Sequence, residues 1–377
     1  MDLVKKKKDC CGCRTCENVC PEDAIQMEAD ACGFLYPKID LEKCVDCGLC
    51  LKKCAFQSGC QKRREFEPSY AYGVRHKKEQ VYMNSRSGGA FTALSNYVLG
   101  KSGVVYGAGF DSERQPFYVK HMGAVTKKER NRQRGSKYVQ SDLSSVFSEL
   151  KEKLDQGQTV LFSGTGCQVG ALYAYLPKEY ENLYTVDIIC HGVASPKVWE
   201  DFLHMREAEK GGKAERANFR NKKKYGWKAH KETVVIDGKP YTSRIYARLF
   251  RRHIIRESCF QCIYANKERT GDVTIGDFWE HEKAIPDIWN DDKGISLVLV
   301  NNSHGRKLWE GCRHEVDEVE VTGYEFQHGR LCRPVEPPED YAQFWEDYKR
   351  EGFVYCAEKY SGHKAEQPET DTKEEEV

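Results

Sequence analysis

The chain has 377 residues, an apolar fraction of 40% and a formal net charge of +1, enough for a sizeable buried core in one large domain or two to three smaller ones. The N-terminus MDLVKKKKDCCGC carries positive charge without an apolar stretch behind it, and nowhere do eighteen apolar residues run together, which excludes a secretory signal and a membrane span and gives a cytoplasmic expectation. Near-neutral total charge excludes nothing about partners, and the basic clusters at 5–8, 127–137, 220–231 and 244–256 read first as solvated surface.

Eighteen cysteines without an export signal argue against a disulfide scaffold and for metal binding or redox chemistry. The spacing makes the choice. From Cys10 the intervals x2, x2, x3 place Cys10, Cys13, Cys16 and Cys20 ahead of Pro21, and the same intervals recur at Cys44, Cys47, Cys50 and Cys54. Three close thiolates wrap one cubane cluster, while the fourth cannot easily turn back and serves the other cluster. Cys10, Cys13, Cys16 and Cys54 are thus expected to hold one 4Fe-4S cluster, and Cys44, Cys47, Cys50 and Cys20 a second. Paired zinc sites would favour two separated C-x2-C pairs instead. Residues 9–60 resemble bacterial two-cluster ferredoxins, with Ala55 where the second run would carry proline. Cys11, Cys32 and Cys60 fit no interval and read as buried or merely present thiols, and Cys312, Cys332 and Cys356 have no assigned role.

The polar stretch 61–70 reads as a linker, with a boundary near residue 66. Beyond it, apolar runs beginning at Val104, Thr159, Leu183, Asp272 and Ile295 read as strands alternating with amphipathic stretches. The expected class is α/β with a mixed or parallel sheet, giving an α+β and α/β chain overall. Residues 220–256 read as a β-rich insertion. The expected divisions are a ferredoxin-like domain at 1–66, the two parts of the second domain at 67–152 and 153–335, a helical segment at 336–363 and a disordered acidic tail at 364–377.

Two turns carry the chemistry of the second domain. SRSGGAFTALSNYVLG places Ser85, Ser87, Gly88 and Gly89 ahead of a helix whose apolar face is Phe91, Leu94 and Val98, so that backbone N–H groups can meet an anion. LFSGTGCQVG repeats that grammar, and two such turns can meet at the carboxyl ends of parallel strands, where such sheets bind nucleotides. Neither matches a dinucleotide or P-loop fingerprint. Of the ten cysteines outside the ferredoxin runs, Cys167, Cys190, Cys259 and Cys262 sit at strand ends or in a tight pair, the complement of one more cluster. Taken singly, the C-x2-C pair reads equally as a zinc half-site or a redox pair, and Cys167 as a nucleophile with His191 as its base.

The order of SGG, GTGCQ, CHG, R-x-x-C-x-x-C and GDVTIGDFW resembles the coenzyme F-420 hydrogenase/dehydrogenase beta-subunit family over residues 68–330. That resemblance implies an iron-sulfur flavoprotein oxidoreductase, passing electrons between clusters and FAD and hydride to or from an organic acceptor. FAD contacts would come from Ser87, Gly88, Gly89, Thr92, Lys137, Tyr138, Gln140, Ser163, Gly164, Thr165, Gly166 and Gln168. The inner cluster would be held by Cys167, Cys190, Cys259 and Cys262. Expected partners are a redox protein, such as a ferredoxin or a reductase or hydrogenase subunit, and a small hydride acceptor or donor, with no nucleic acid. His191 is a low-ranking catalytic candidate and is better read as a hydrogen-bonding neighbour of the cluster. Glu280 departs from the family pattern, where a small residue or glycine is expected after Trp279. Lys222, Lys223, Lys224, Lys228, Arg251 and Arg252 read as surface, or as a docking face or phosphate site, and Trp227 and Trp279 as core or pocket wall. An electron-transfer adapter without its own substrate is the rival reading, and a zinc-dependent nucleic-acid binder a weaker one.

Overall fold

The computed structural model describes residues 3–57, 64–67, 70–323 and 329–363. The repeated cysteine runs give a repeated backbone. Gly12 (φ 68°) and Arg14 (φ 62°) in the first run, and Asp46 (φ 52°) and Gly48 (φ 68°) in the second, all turn through the left-handed region. Each run then enters a one-turn helix, Thr15–Asn18 or Leu49–Lys52. Two left-handed turns within five residues curl the chain around its thiols. Between the runs, β1 (Ile25–Ala29) and β2 (Leu35–Ile39) form an antiparallel hairpin.

The rest of the chain is built on a mixed sheet of eight strands. Its members are β3 (Tyr70–His76), β4 (Val104–Asp111), β5 (Tyr118–Ala124), β6 (Val160–Thr165) and β7 (Leu183–Ile188). After β8 (Ala214–Asn218), β9 (Glu232–Ile236) and β10 (Lys239–Ser243), which form a separate antiparallel sheet, come β11 (Val273–Asp277), β12 (Ser296–Val300) and β13 (Val316–Glu320). The order is β13-β3-β12-β11-β7-β6-β4-β5. The four inner strands β11, β7, β6 and β4 run parallel, and the flanking pairs are antiparallel.

Parallel strands need cover on both faces, so their sequences are apolar at nearly every position. In β6, Val160 and Phe162 pack with Phe147, Leu150 and Leu172 from helices Val146–Asp155 and Gly166–Tyr175. Leu161 points the other way, into Leu94, Val98 and Trp309 from helices Ala90–Gly100 and Ser303–Cys312. A third core joins helices Pro196–Lys210 and Tyr341–Ser361 to the small sheet through Trp199, Phe202, Tyr246 and Phe344.

All five strands expected from apolar runs form, as β4, β6, β7, β11 and β12. The insertion differs in detail: its first strand starts at Ala214, and residues 220–256 hold two strands with two short helices, Lys222–Tyr225 and Ile245–Phe250. The expected acidic tail, Cys60 and half of the expected linker (61–63 and 68–69) lie outside the described residues. Among the described residues no helix is long and apolar enough to cross a membrane.

Candidate functional site

The parallel strands β6, β7 and β11 end at one large cavity of about 940 Å³. Ser87 and Gly89, Lys137 and Tyr138, and Ser163, Gly164, Thr165 and Gln168 all line it, so the sheet brings together three separate sequence stretches. Gly88 stands behind the wall. A Cβ there would lie 2.0 Å from the Val74 carbonyl oxygen, and its N–H donates to Ser296 Oγ at 2.9 Å, so glycine is required for close packing on the sheet. Thr92 is buried beside the wall, Gly166 faces a second, smaller cavity, and Gln140 turns towards the ferredoxin segment.

The SRSGG turn is clamped from the insertion. Lys222 Nζ donates to the carbonyl oxygens of Ser87 (2.9 Å), Lys293 (2.7 Å) and Tyr82 (2.5 Å). Lys222 is buried, so the surface or docking reading of the basic insertion fails at that residue, whereas Lys223, Lys224, Lys228, Arg251 and Arg252 are exposed. Its burial pulls the ammonium down to about 7.

A hydrogen-bond chain fixes the floor. His121 Nε2 donates to the Ser163 carbonyl (3.0 Å), which leaves Nδ1 to accept from Ser141 Oγ (2.9 Å), and Ser141 in turn accepts from Gln168 Nε2 (2.9 Å). Gln168 Oε1 closes the chain by accepting from Thr165 N–H at 3.0 Å. Burial drops His121 to about 4, so the ring is neutral and this one tautomer persists across the neutral range. Neither His121 nor Ser141 was legible as a site residue, because each stands in a strand or loop with no motif around it.

The cavity wall is strongly cationic. Arg86 donates through Nη2 to Asn218 Oδ1 (2.5 Å), but its Nε and Nη1 are buried with no hydrogen-bond partner among the described residues. Burial, and then Arg220, push Arg86 down to about 10. Lys137 is held down at about 7 by burial and then by Arg86, although its Nζ donates to the Arg132 and Arg134 carbonyls at 3.0 Å each. Arg220 is neutralised by Asp277 at 2.6 Å, and that carboxylate also accepts from Trp227 Nε1. Buried donors beside mutually repelling cations form a setting that favours an anion.

At the far end, the Trp227 and Trp279 rings stack at 4.7 Å, with Trp227 in the core and Trp279 on the cavity wall. Glu280 sits at φ 54°, a backbone that glycine adopts without strain. Its exposed side chain pairs with Lys283 at 2.7 Å, outside the cavity lining.

The smaller cavity, about 40 Å³, adjoins the first across Thr165, Cys190 and His191. Cys167, Cys190, Cys259 and Cys262 all line it, and so does Cys11. Burial pushes Cys190 to about 12 and Cys262 to about 11, with Cys167 next to both adding to the effect. Cys167 shifts the other way, lowered chiefly by its hydrogen bond with Cys11. Among the described residues no three of His, Cys, Asp and Glu converge on one point as a single metal ion needs. The four thiols line one small cavity together. His191 Nε2 faces the Arg251 carbonyl at 3.4 Å, a hydrogen-bonding position rather than contact with a nucleophile.

In the ferredoxin segment, Cys16 has Cys13, Cys10 and Cys54 as charged neighbours, and Cys50 has Cys47 and Cys20. The fourth cysteine of each run therefore stands with the other run. Backbone N–H groups of Gly12, Ala24 and Gln57 donate to Cys10, Cys20 and Cys54 sulfurs at 3.4, 3.3 and 3.4 Å. Cys11 is buried and packs with Cys13, Cys54, Cys167 and Cys262 between the two regions. Cys312 and Cys356 are buried core thiols, Cys32 is half-buried and Cys332 exposed.

The segment after Arg256, and Gln140 bonded to Arg256, are tied onto the ferredoxin. Gln261 Nε2 donates to the Lys8 carbonyl (2.7 Å), Tyr264 Oη to the Ala55 carbonyl (2.5 Å), and Gln140 Nε2 to the Cys11 carbonyl (3.0 Å). A Cβ on Gly12 would lie 2.6 Å from Gln140 Nε2 and 3.0 Å from Arg256 Nη1, at φ 68°. Gly12→Ala is expected to cost about 1–2 kcal/mol for its backbone alone, and to loosen this joint. Limited proteolysis should then release the N-terminal segment while the remainder stays folded.

Residues 157–325 match the family described as the C terminus of the coenzyme F420 hydrogenase/dehydrogenase beta chain, and residues 9–58 match the 4Fe-4S dicluster domain. A curated relative, one component of the Na(+)-translocating ferredoxin:NAD(+) oxidoreductase complex of Acetobacterium woodii, is 47% identical over 45 residues, and the match spans only 12% of this chain and 12% of that relative. A chain from the xenon-derivatised F420-reducing NiFe hydrogenase complex of Methanosarcina barkeri aligns over 76% of this chain and 90% of its own length, at 17% identity and a TM-score of 0.44. Residues 157–325 thus belong with the C-terminal region of the coenzyme F420 hydrogenase/dehydrogenase beta subunit, and residues 9–58 ahead of them form a 4Fe-4S dicluster domain.

Proposed function

We propose that the chain is an FAD-dependent oxidoreductase subunit with three 4Fe-4S clusters, exchanging electrons with a protein partner at the ferredoxin end and hydride with an organic acceptor or donor at the large cavity. The single observation that carries the flavin half is Arg86, whose two unpartnered buried nitrogens call for an anion inside a cavity large enough for a nucleotide. A bound flavin supplies the exchange between two-electron hydride chemistry and one-electron transfer, which clusters in ordinary use cannot provide.

The residues have separable tasks. Ser87 and Gly89, with Arg86 and Lys137, would bind the pyrophosphate, drawing on cations that repel one another until an anion arrives. His121, Ser141 and Gln168 would hold the Ser163–Thr165 turn rigid beneath the ring. Cys167, Cys190, Cys259 and Cys262 would hold the inner cluster against that same turn, so Thr165 and its neighbours separate two cofactors by one layer of chain. Cys10, Cys13, Cys16 and Cys54 would hold the next cluster, and Cys20, Cys44, Cys47 and Cys50 the outermost.

A pH dependence follows. Lys137 titrates near 7 in the fold against 10.5 for the free side chain, so between those values the unfolded chain binds more protons. The empty pocket is therefore destabilised by this group below about pH 7 and relieved as pH rises towards 10.5. An anion reverses the preference by favouring charged lysine. FAD affinity, measured by fluorescence quenching, is expected to be greatest below pH 7 and to fall by up to about tenfold per unit above it.

The test of the whole reading is anaerobic reduction with dithionite, followed by a panel of hydride acceptors including the deazaflavin coenzyme. Oxidation of bound flavin by one acceptor is the expected result. A protein whose clusters reduce but which binds no flavin would be an adapter feeding a separate catalytic subunit.

A further inference from the structure

Arg256 is fully buried where three parts of the molecule meet. Nε donates to the Cys10 carbonyl (2.8 Å), Nη2 to the Leu35 carbonyl (2.9 Å) and Nη1 to Gln140 Oε1 (3.1 Å). The guanidinium also lies over the Tyr36 ring at 4.3 Å and the Phe34 ring at 5.3 Å. Among the described residues its hydrogen bonds thus go to three neutral oxygens, two on the ferredoxin segment and one on the loop that borders the large cavity. Three residues further on, the chain reaches Cys259, the first of the Cys259 and Cys262 pair.

A buried cation with neutral hydrogen-bond partners needs a counter-charge. Besides bonding the Cys10 carbonyl, Arg256 lines the small cavity together with Cys259 and Cys262, and its own carbonyl accepts from the Cys259 N–H at 2.9 Å. Cys10 belongs to the first N-terminal set and Cys259 to the inner set, so the same residue stands between both.

We propose that Arg256 is a positioning residue that sets the gap between the first N-terminal cluster and the inner cluster, and that its charge raises the reduction potential of both. The proposal rests on the reading of those cysteines as cluster ligands. Reduction adds an electron to a cluster, and a fixed cation in a dry setting favours the reduced form, because little solvent screens it. The planar fork accounts for the choice of arginine: three acceptors in different directions suit a guanidinium, whereas a lysine ammonium would keep the charge but not the spacing.

The test uses the full chain, purified anaerobically as wild type, Arg256→Gln and Arg256→Lys. Iron per chain is counted first, and cluster potentials are then measured by redox titration followed by electron paramagnetic resonance. Arg256→Gln should lower the potentials of two clusters and leave the third, at Cys20, Cys44, Cys47 and Cys50, unmoved, while Arg256→Lys stays close to wild type. A fully loaded Arg256→Gln protein with every potential unchanged overturns the proposal. If Arg256→Gln sheds iron from the two flanked sites alone, the positioning role stands, and recovery of that iron in Arg256→Lys supports the role of charge, whereas no recovery overturns it. A wild type with only about eight irons would instead sink the inner-cluster reading; the potential of the first N-terminal cluster would still test Arg256.

Discussion

Replacing Cys167 by alanine is expected to cost one whole cluster, so that iron falls from about twelve to about eight per chain, since each cubane carries four. The change is best made in a Cys11→Ser background, because Cys11 lines the same small cavity and its thiol is placed to substitute. The eight N-terminal ligands are untouched by either change, and their backbone N–H to sulfur bonds at Cys10, Cys20 and Cys54 stay in place. The expected loss is therefore confined to four irons, measured by anaerobic iron and sulfide analysis. An unchanged count would mean that Cys167 ligates nothing. A nucleophilic Cys167 would leave the iron intact and abolish turnover, so the two readings separate cleanly.

The second large effect is at Arg86. Arg86→Met removes the buried cation whose Nε and Nη1 have no protein acceptor. Two charge-assisted hydrogen bonds to an anion contribute on the order of 3 kcal/mol net, so FAD affinity is expected to fall by roughly a hundredfold. The empty protein should respond in the opposite sense. Arg220 disfavours the Arg86 charge and Arg86 disfavours that of Lys137, so losing Arg86 relieves repulsion and removes unmet donors. Weaker flavin binding together with an unchanged or higher melting temperature without flavin is the signature of a binding residue set against stability. A drop in both would make Arg86 a structural residue.

What was legible in the sequence was whatever obeys a local rule. The eight ferredoxin cysteines follow from spacing, and the repeated left-handed turns at Gly12 and Arg14 and at Asp46 and Gly48 are that spacing expressed in the backbone. Parallel strands such as β6 announce themselves because both faces are covered. The flanking strands do not: β3 carries Arg75 and His76, both buried but paired with Asp291 and Glu315, and β13 is mostly acidic at the sheet edge. Their charged residues mask strand pattern because the partners come from distant sequence.

The same reason hid much of the site. His121, Ser141 and Gln168 act as one chain of hydrogen bonds only after β5 and the Gly166–Tyr175 helix are brought together. Lys222 reads as one of several exposed lysines until its ammonium is seen capping three carbonyls. Cys11 reads as a spare thiol beside Cys10, yet it stands between Cys13 and Cys167. Residues that join segments across the fold leave no periodic trace.

The cofactor content of the full chain decides most directly between a three-cluster flavoprotein and its rivals. Anaerobic purification followed by counts of iron, acid-labile sulfide and released flavin should give about twelve, about twelve and one FAD per chain, as three cubanes and one flavin require. Zinc in place of iron and sulfide, or full iron with no flavin at any pH, would contradict it.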